Sequence, residues 1–440
     1  MPPLRRELGL FSAALVVVGG IIGSGIFFTP ATTAAALPSG AWVFFVWALG
    51  GVVALAGALT YAELGAMLPE AGGSYVYIRE AFGELPAFLC VWMTAGLIAS
   101  GAIAAVAMGF AGYLSRFVAL DALGGPLGVA AITIVALTIT NYLGVRPGVA
   151  VQNVLTIAKI AALGALVVGG ILLVAGPHVT PVAVAAPEAP PLASGLATAF
   201  VAVLFTIGGW QQMNMIAGEI KDPARNIPRA LGIGIGIVIA VYLGVTGAYL
   251  GALGRDGLAA SAAPAADTAA RLAGAGAATA ITVAAMLSIL GFVSVALLTN
   301  ARMVFALGSD SPVLRVFARV HPRFGSPHIA LTVLGGWSLA LLFATRGNIG
   351  TLLSGVVFAD WIFFSLGAAC VFRLRRTRPH AERPYRALGY PWLPAFFVAS
   401  GMVGIVSAYV SALRMSLFGT GLLLAGAGVW LATERGRAGK

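Results

Sequence analysis

Few residues in this chain could do chemistry, and most of them sit inside long apolar runs. In VVVGGIIGSGIFFTP (Val16–Pro30), Gly19, Gly20, Gly23 and Gly25 crowd around Ser24. In LATAFVAVLFTIGGWQQMNMIAGEIKDP (Leu196–Pro223), Gly208 and Gly209 are followed by Trp210, Gln211, Gln212 and Asn214. Glycine weakens a helix by roughly 1 kcal/mol per position relative to alanine. A helix interrupted there leaves free carbonyls at the end of its first half and free N–H groups at the start of its second. The N–H end carries partial positive charge and suits a carboxylate. The carbonyl end suits an ammonium, so a site offering both is fitted to a zwitterion such as an amino acid. The competing reading is that Gly19–Gly25 is only a surface for close helix packing. The second glycine break, at the corresponding place in the other half of the chain, favours the binding reading.

Isolated charges inside apolar runs are the other candidates, because a charged group in a membrane span is costly and usually functional. Lys159 in NVLTIAK is the most informative; its alternative is a lysine snorkelling from a span end. Glu63 and Asp360 (in FADW) are expected to pair structurally with arginines rather than to carry protons, and Glu219 to pair or cap where a loop begins. Cys90 and Cys370 fall in apolar runs and read as buried packing thiols, not as a disulfide or zinc site. His178, His321, His328 and His380 fall in connectors, which argues against a histidine proton relay. No cofactor or metal is expected.

The elements that must position these residues are membrane helices. Of 440 residues, 60% are hydrophobic and 9% charged, with mean hydropathy +0.97; soluble domains carry about 25% charge. Runs of roughly 20 apolar residues read as spanning helices. They are predicted near 9–36, 41–67, 86–115, 126–143, 148–175, 195–218, 229–253, 277–306, 327–345, 348–372, 391–412 and 415–432, an all-α polytopic membrane protein with no soluble domain and no cleavable signal. The net charge of +11 is a topology signal, not a nucleic-acid footprint. With the N-terminus inside, Arg5, Arg6, Arg79, Arg146, Lys221, Arg225, Arg229, Arg302, Arg315, Arg319, Arg323, the Arg373–Arg386 cluster and the tail Arg435, Arg437 and Lys440 all fall on the cytoplasmic side. Arg116, Arg255, Arg271, Arg346 and Arg414 fall outside. Ala, Gly and Arg bias suggests a bacterial source, and so a multi-pass protein of the bacterial inner membrane with both termini cytoplasmic.

The motifs IIGSGIF, YAELGAMLPEAGGSYVYIREAFG, GGW…AGEIKDPARNIPRAL and ERPYRALGYPWLPA stand in the chain in that order. Together they resemble the amino acid–polyamine–organocation superfamily, and within it the L-amino-acid transporter family, the light subunits of heteromeric transporters and their bacterial relatives. The resemblance covers nearly the whole chain. It implies a leucine-transporter-like five-plus-five inverted repeat with discontinuous helices one and six: residues 1–175 as the first repeat, 195–372 as the second, and two further helices in 387–433. It implies a single transporter domain, alternating access and no enzyme activity. By the same resemblance, N–H groups around Gly23, Ser24 and Gly25, with the Ser24 hydroxyl, take the substrate carboxylate. The carbonyls of Ile21, Phe205 and Gly208, beside Gly209, take its amino group. Phe205 closes over the substrate, and Trp210 is structural or part of the gate wall. Lys159 stands where sodium-coupled members of this fold hold a sodium ion between helices one and eight, as a fixed cation bonded near Gly19 and to Ser294. Tyr242 approaches the substrate end of helix one.

The expected activity is sodium-independent transport of neutral L-amino acids by exchange, because no acid is evident in the site for a cationic side chain. The alternative is a proton-coupled symporter on the same fold, with Lys159 titrating. A polytopic enzyme would need a catalytic cluster and a channel a filter, and neither is present. The expected partners are the amino acid and the lipid bilayer. Eukaryotic light subunits bond a heavy chain through a cysteine between spans three and four; RFVALDALGGPLG has none, so no disulfide-linked heavy subunit is expected.

Overall fold

The computed structural model describes residues 6–175, 189–311, 313–411 and 413–438. Arg5, His178 and Lys440 lie outside them, as do the side chains of Arg146, Arg435 and Arg437. The chain runs through α1 (Leu10–Ile21), α2 (Gly25–Ala36), α3 (Gly40–Met67), α4 (Ser74–Phe82), α5 (Glu84–Met93), α6 (Ala99–Leu114), α7 (Gly125–Tyr142) and α8 (Val145–Ala175). It continues through α9 (Leu192–Ile207), α10 (Gln212–Met215), α11 (Pro223–Ala260), α12 (Pro264–Asp310), α13 (His328–Ala344), α14 (Ile349–Thr377), α15 (Trp392–Ser411) and α16 (Leu413–Ala438). No strand forms among the described residues; one isolated bridge pairs Leu8 with Ile220.

Among the described residues nine helical segments are long and apolar enough to cross a membrane. The shorter apolar α13 and α16 and the 29-residue α14 complete the predicted set. The local sequence explains the ends. Ser39 caps α3, its hydroxyl accepting the Trp42 N–H at 3.4 Å, which satisfies one orphan donor. Pro223 and Pro264 sit in the first turns of α11 and α12, where a missing N–H costs nothing. Both long helices bend at glycines in left-handed geometry, α11 at Gly254 (φ 69°) and α12 at Gly274 (φ 80°). The predicted spans 229–253 and 277–306 are therefore the straight parts, and the residues between the two bends form short outer helices.

α1 and α2 lie at the centre, with Val16, Val17, Val18 and Ile22 completely buried, and α1 packs against α8, α11 and α12. The periphery is apolar. Val154, Ile157, Ile171 and Leu172 on α8 and Val403, Val406 and Val410 on α15 are exposed, as lipid-facing residues are where no water competes.

The charges sort to two ends. At one, Arg255 donates to the Leu37 carbonyl at 3.0 Å, and Arg271 donates to the Ala252 carbonyl. The other is rich in arginine. There Glu63 of α3 holds Arg375 of α14 (2.6 and 2.9 Å), the Ala387 N–H (2.7 Å) and Arg383 (3.3 Å). Arg79 of α4 pairs with Asp310, which also accepts the Tyr75 hydroxyl at 2.7 Å, while Glu80 binds Arg378 at 2.5 Å. Burial would raise the Glu80 carboxyl, but Arg378 and Arg79 outweigh it and hold the group below its ordinary range. Glu80 therefore stays ionised from neutral pH into the acid range. Arg302, counted above as a topology charge, is instead fully buried and paired with Glu219 at 2.7 Å. His328 opens α13 rather than lying in a loop; it packs edge-on to Tyr142 and His321.

Candidate functional site

Both glycine runs interrupt their helices, but not every glycine is in a break. α1 persists to Ile21 and α2 begins at Gly25, so Ile22, Gly23 and Ser24 form the first interruption. α9 ends at Ile207, and Gly208–Gln211 form the second before the four-residue α10. Gly19 and Gly20 are helical and serve close packing. A Cβ on Gly19 would run into the Gln152 side-chain amide of α8; one on Gly20 would lie 2.8 Å from the Gly209 carbonyl. Reciprocally, a Cβ on Gly209 would overlap the Gly20 carbonyl, and Gly209 itself holds φ 107°. The two broken spans thus meet backbone to backbone, which only glycine permits. Gly25 abuts Thr206, whose Oγ1 would be 2.7 Å from an added Cβ. The packing and binding readings of Gly19–Gly25 were therefore not exclusive: one pair packs and the other borders the break.

The groups released by the first interruption are distributed unequally. Ile22 and Gly19 offer their carbonyls to the buried Lys159 ammonium, at 2.5 and 3.3 Å. The Ser288 hydroxyl of α12 donates to Ile22 (3.0 Å) or Gly23 (3.1 Å). The Ile21 carbonyl accepts the Gly23 N–H (2.8 Å) and the Tyr242 hydroxyl (3.1 Å), so its two lone pairs are engaged before any ligand arrives. Tyr242 also lies 3.3 Å from the Thr206 carbonyl and so bridges the ends of α1 and α9. Ser294 does not face the break. It accepts from Asn141 of α7 at 3.3 Å. Six residues are 600° of helix, so Ser288 and Ser294 lie on different faces of α12, and Ser288 is the one that ties α12 to helix one. Ser24 stands at the start of α2 without using its side chain as a cap. The first N–H groups of α2 have no intrahelical acceptor by construction, although Phe27 turns its N–H to the Ser24 carbonyl at 3.1 Å.

One cavity joins the two interruptions. Ile21, Gly23, Ser24 and Gly25 line it from helix one, and Phe205, Gly208 and Gly209 from helix six. It has a volume of about 80 Å³ and extends to Ser74, Asn300 and Met303 toward the arginine-rich end. Phe205 is partly buried at the wall. Trp210 is not at the cavity. It is 2% exposed and wedged edge-on against Tyr61 (4.9 Å between centroids) and Phe397 (5.7 Å); a ring packed on several sides is scaffold, not gate. Lys159 and Tyr242 lie behind the lining and touch the site through the Ile21 and Ile22 carbonyls.

Several lining residues were not assigned to the site from the sequence. Thr206 links α9 to α2 by a hydrogen bond to Thr29 at 2.8 Å. Gln211 accepts the Gly209 N–H at 3.0 Å and holds the second break open. A π-helical turn, Thr94–Ile98, separates α5 from α6, and Thr94 and Ile98 face the cavity. Cys90 also borders it, and is buried as the sequence reading expected. Asp360 of α14 lines it too. Glu63 makes the expected pair with arginine, whereas no hydrogen bond or ion pair to Asp360 is present among the described residues.

Comparison with known proteins agrees with this architecture. Residues 8–425 match the amino acid permease family. The chain is 30% identical to the serine/threonine exchanger SteT of Bacillus subtilis over 413 residues, 93% of this chain and 92% of that one. It is 30% identical to the b(0,+)-type amino acid transporter 1 of Mus musculus over 386 residues, 87% and 79% of the two chains. It is 32% identical to the large neutral amino acids transporter small subunit 2 of Mus musculus over 405 residues, 90% and 75%.

Proposed function

From the premise that the chain belongs to the amino acid permease family, and is therefore a multi-pass membrane transporter of amino acids and not an enzyme, we propose that it exchanges neutral L-amino acids across a bacterial inner membrane without sodium. The observation that carries this reading is the single cavity between the α2 N-terminus and the α9 C-terminus, each offering backbone groups of opposite polarity. The substrate carboxylate takes the N–H groups around Ser24 and Gly25 and the Ser24 hydroxyl. Its ammonium takes the carbonyls of Phe205 and Gly208; Ile21, already engaged, contributes position only. Lys159 donates to the Ile22 carbonyl where helix one meets α8, and Ser288 ties the same carbonyl to α12, so no sodium ion is needed to hold these elements together.

Transport follows alternating access: Phe205 closes over the substrate, the helical bundle rocks, and the inner halves open. The arginine-rich end is the cytoplasmic one, with both termini there. An empty carrier leaves both helix ends without a partner, which slows its return and makes exchange the preferred cycle. The test is uptake of labelled L-alanine by sodium-free proteoliposomes. Uptake that requires unlabelled neutral amino acid inside and ignores a pH gradient is the expected result. Accumulation by empty vesicles after acidifying the outside would replace exchange with proton coupling.

A further inference from the structure

The cavity holds a group that the exchange of neutral amino acids leaves unused. Among the described residues lining it, Asp360 is the one with a formally charged side chain; the rest are apolar, small or uncharged polar. It is partly buried, and no donor or cation reaches it. Lys159 is committed to the Gly19 and Ile22 carbonyls and does not line the cavity. Arg375 of α14 and Arg378 just beyond it stand at the arginine-rich end, bound to Glu63 and Glu80. An unpaired carboxylate in such a place is costly and is usually kept because a ligand completes the pair. Its surroundings suit a cation. Trp361, Phe363 and Phe364 share the wall, and aromatic faces attract ammonium and guanidinium groups. The Thr94 π-turn adds a hydroxyl to the same lining.

We propose that Asp360 is the side-chain recognition residue of this transporter, and that its substrates include L-amino acids with a cationic side chain, of which lysine is the probe. The inference rests on the binding site proposed above: the interrupted helices hold the α-carboxylate and α-ammonium common to all substrates, and Asp360 reads the far end. A lysine side chain brings the opposite charge that Asp360 lacks. Norleucine, with the same carbon chain and no ammonium, leaves it unpaired.

The experiment is competition for labelled L-alanine exchange in proteoliposomes, with unlabelled L-lysine and L-norleucine as competitors, followed by direct uptake of labelled lysine. The wild-type protein should be inhibited by lysine at concentrations at least tenfold lower than by norleucine. In Asp360→Asn the ratio of lysine to alanine uptake should fall at least tenfold, and Asp360→Glu should restore part of it. Alanine exchange in the wild type with lysine no better a competitor than norleucine would overturn the role of Asp360 and leave the neutral exchanger standing. An unchanged lysine-to-alanine ratio in a folded Asp360→Asn protein would do the same. Wild-type protein that exchanges no amino acid at all would bring down both readings. The wild-type competition decides the matter even if the variants do not fold.

Discussion

Replacing Gly209 with alanine should destabilise the protein by about 2–5 kcal/mol, while the same change at Gly208 should not. Gly209 holds φ 107°, where a side chain costs roughly 1–2 kcal/mol through its own backbone. Its new methyl would also overlap the Gly20 carbonyl, and overpacking of this kind costs about 1–3 kcal/mol. Gly208, its neighbour, has φ −68° and ψ 167°, extended backbone that alanine adopts freely. A methyl there would come no closer than 3.5 Å to any neighbour, and the loss of unfolded-state freedom favours alanine by about 0.4–1 kcal/mol. Thermal unfolding of the purified variants in detergent, followed by loss of the monomer peak, should order them Gly208→Ala at or above wild type and Gly209→Ala well below. Gly20→Ala, whose methyl would lie 2.8 Å from the Gly209 carbonyl, should also destabilise. The double variant should cost less than the sum, because both methyls push apart the same two segments. Equal stability of Gly208→Ala and Gly209→Ala would refute the backbone-to-backbone contact of the two breaks.

Two further outcomes follow from the contacts around the site. Lys159→Met should remove the donor from the Ile22 and Gly19 carbonyls, lowering stability by about 1–3 kcal/mol and slowing alanine exchange at least tenfold; wild-type exchange rates would reduce Lys159 to a packing residue. Asp310→Asn should loosen Arg79 and Tyr75 at the arginine-rich end, where α4 borders the cavity through Ser74. A loss of about 1 kcal/mol from this partly exposed pair should raise N-ethylmaleimide labelling of Cys90, a cavity-lining thiol, roughly fivefold, and an unchanged labelling rate would show that this network does not close that end.

Composition and pattern alone were enough to establish a polytopic helical membrane protein, the rough limits of its spans, and the two interrupted helices. Long apolar runs have one stable fate in a bilayer, and glycine pairs are weak points wherever the chain folds, so both are local properties. The span limits near 253 and 277 were legible for the same reason, since apolarity falls there; that the helices bend at Gly254 and Gly274 and continue was not. Facing was not legible. Gly19 and Gly25 look alike in sequence, yet one accommodates Gln152 of α8 and the other Thr206 of α9. Ser294 and Ser288 are both serines on α12, and helical rotation sends one to Asn141 and the other to the break. Glu63 and Asp360 are both acids in apolar runs, and only packing brings Arg375 and Arg383 to the first and leaves the second facing a cavity without a partner. A side chain's partner is set by residues hundreds of positions away, and the sequence does not carry that distance.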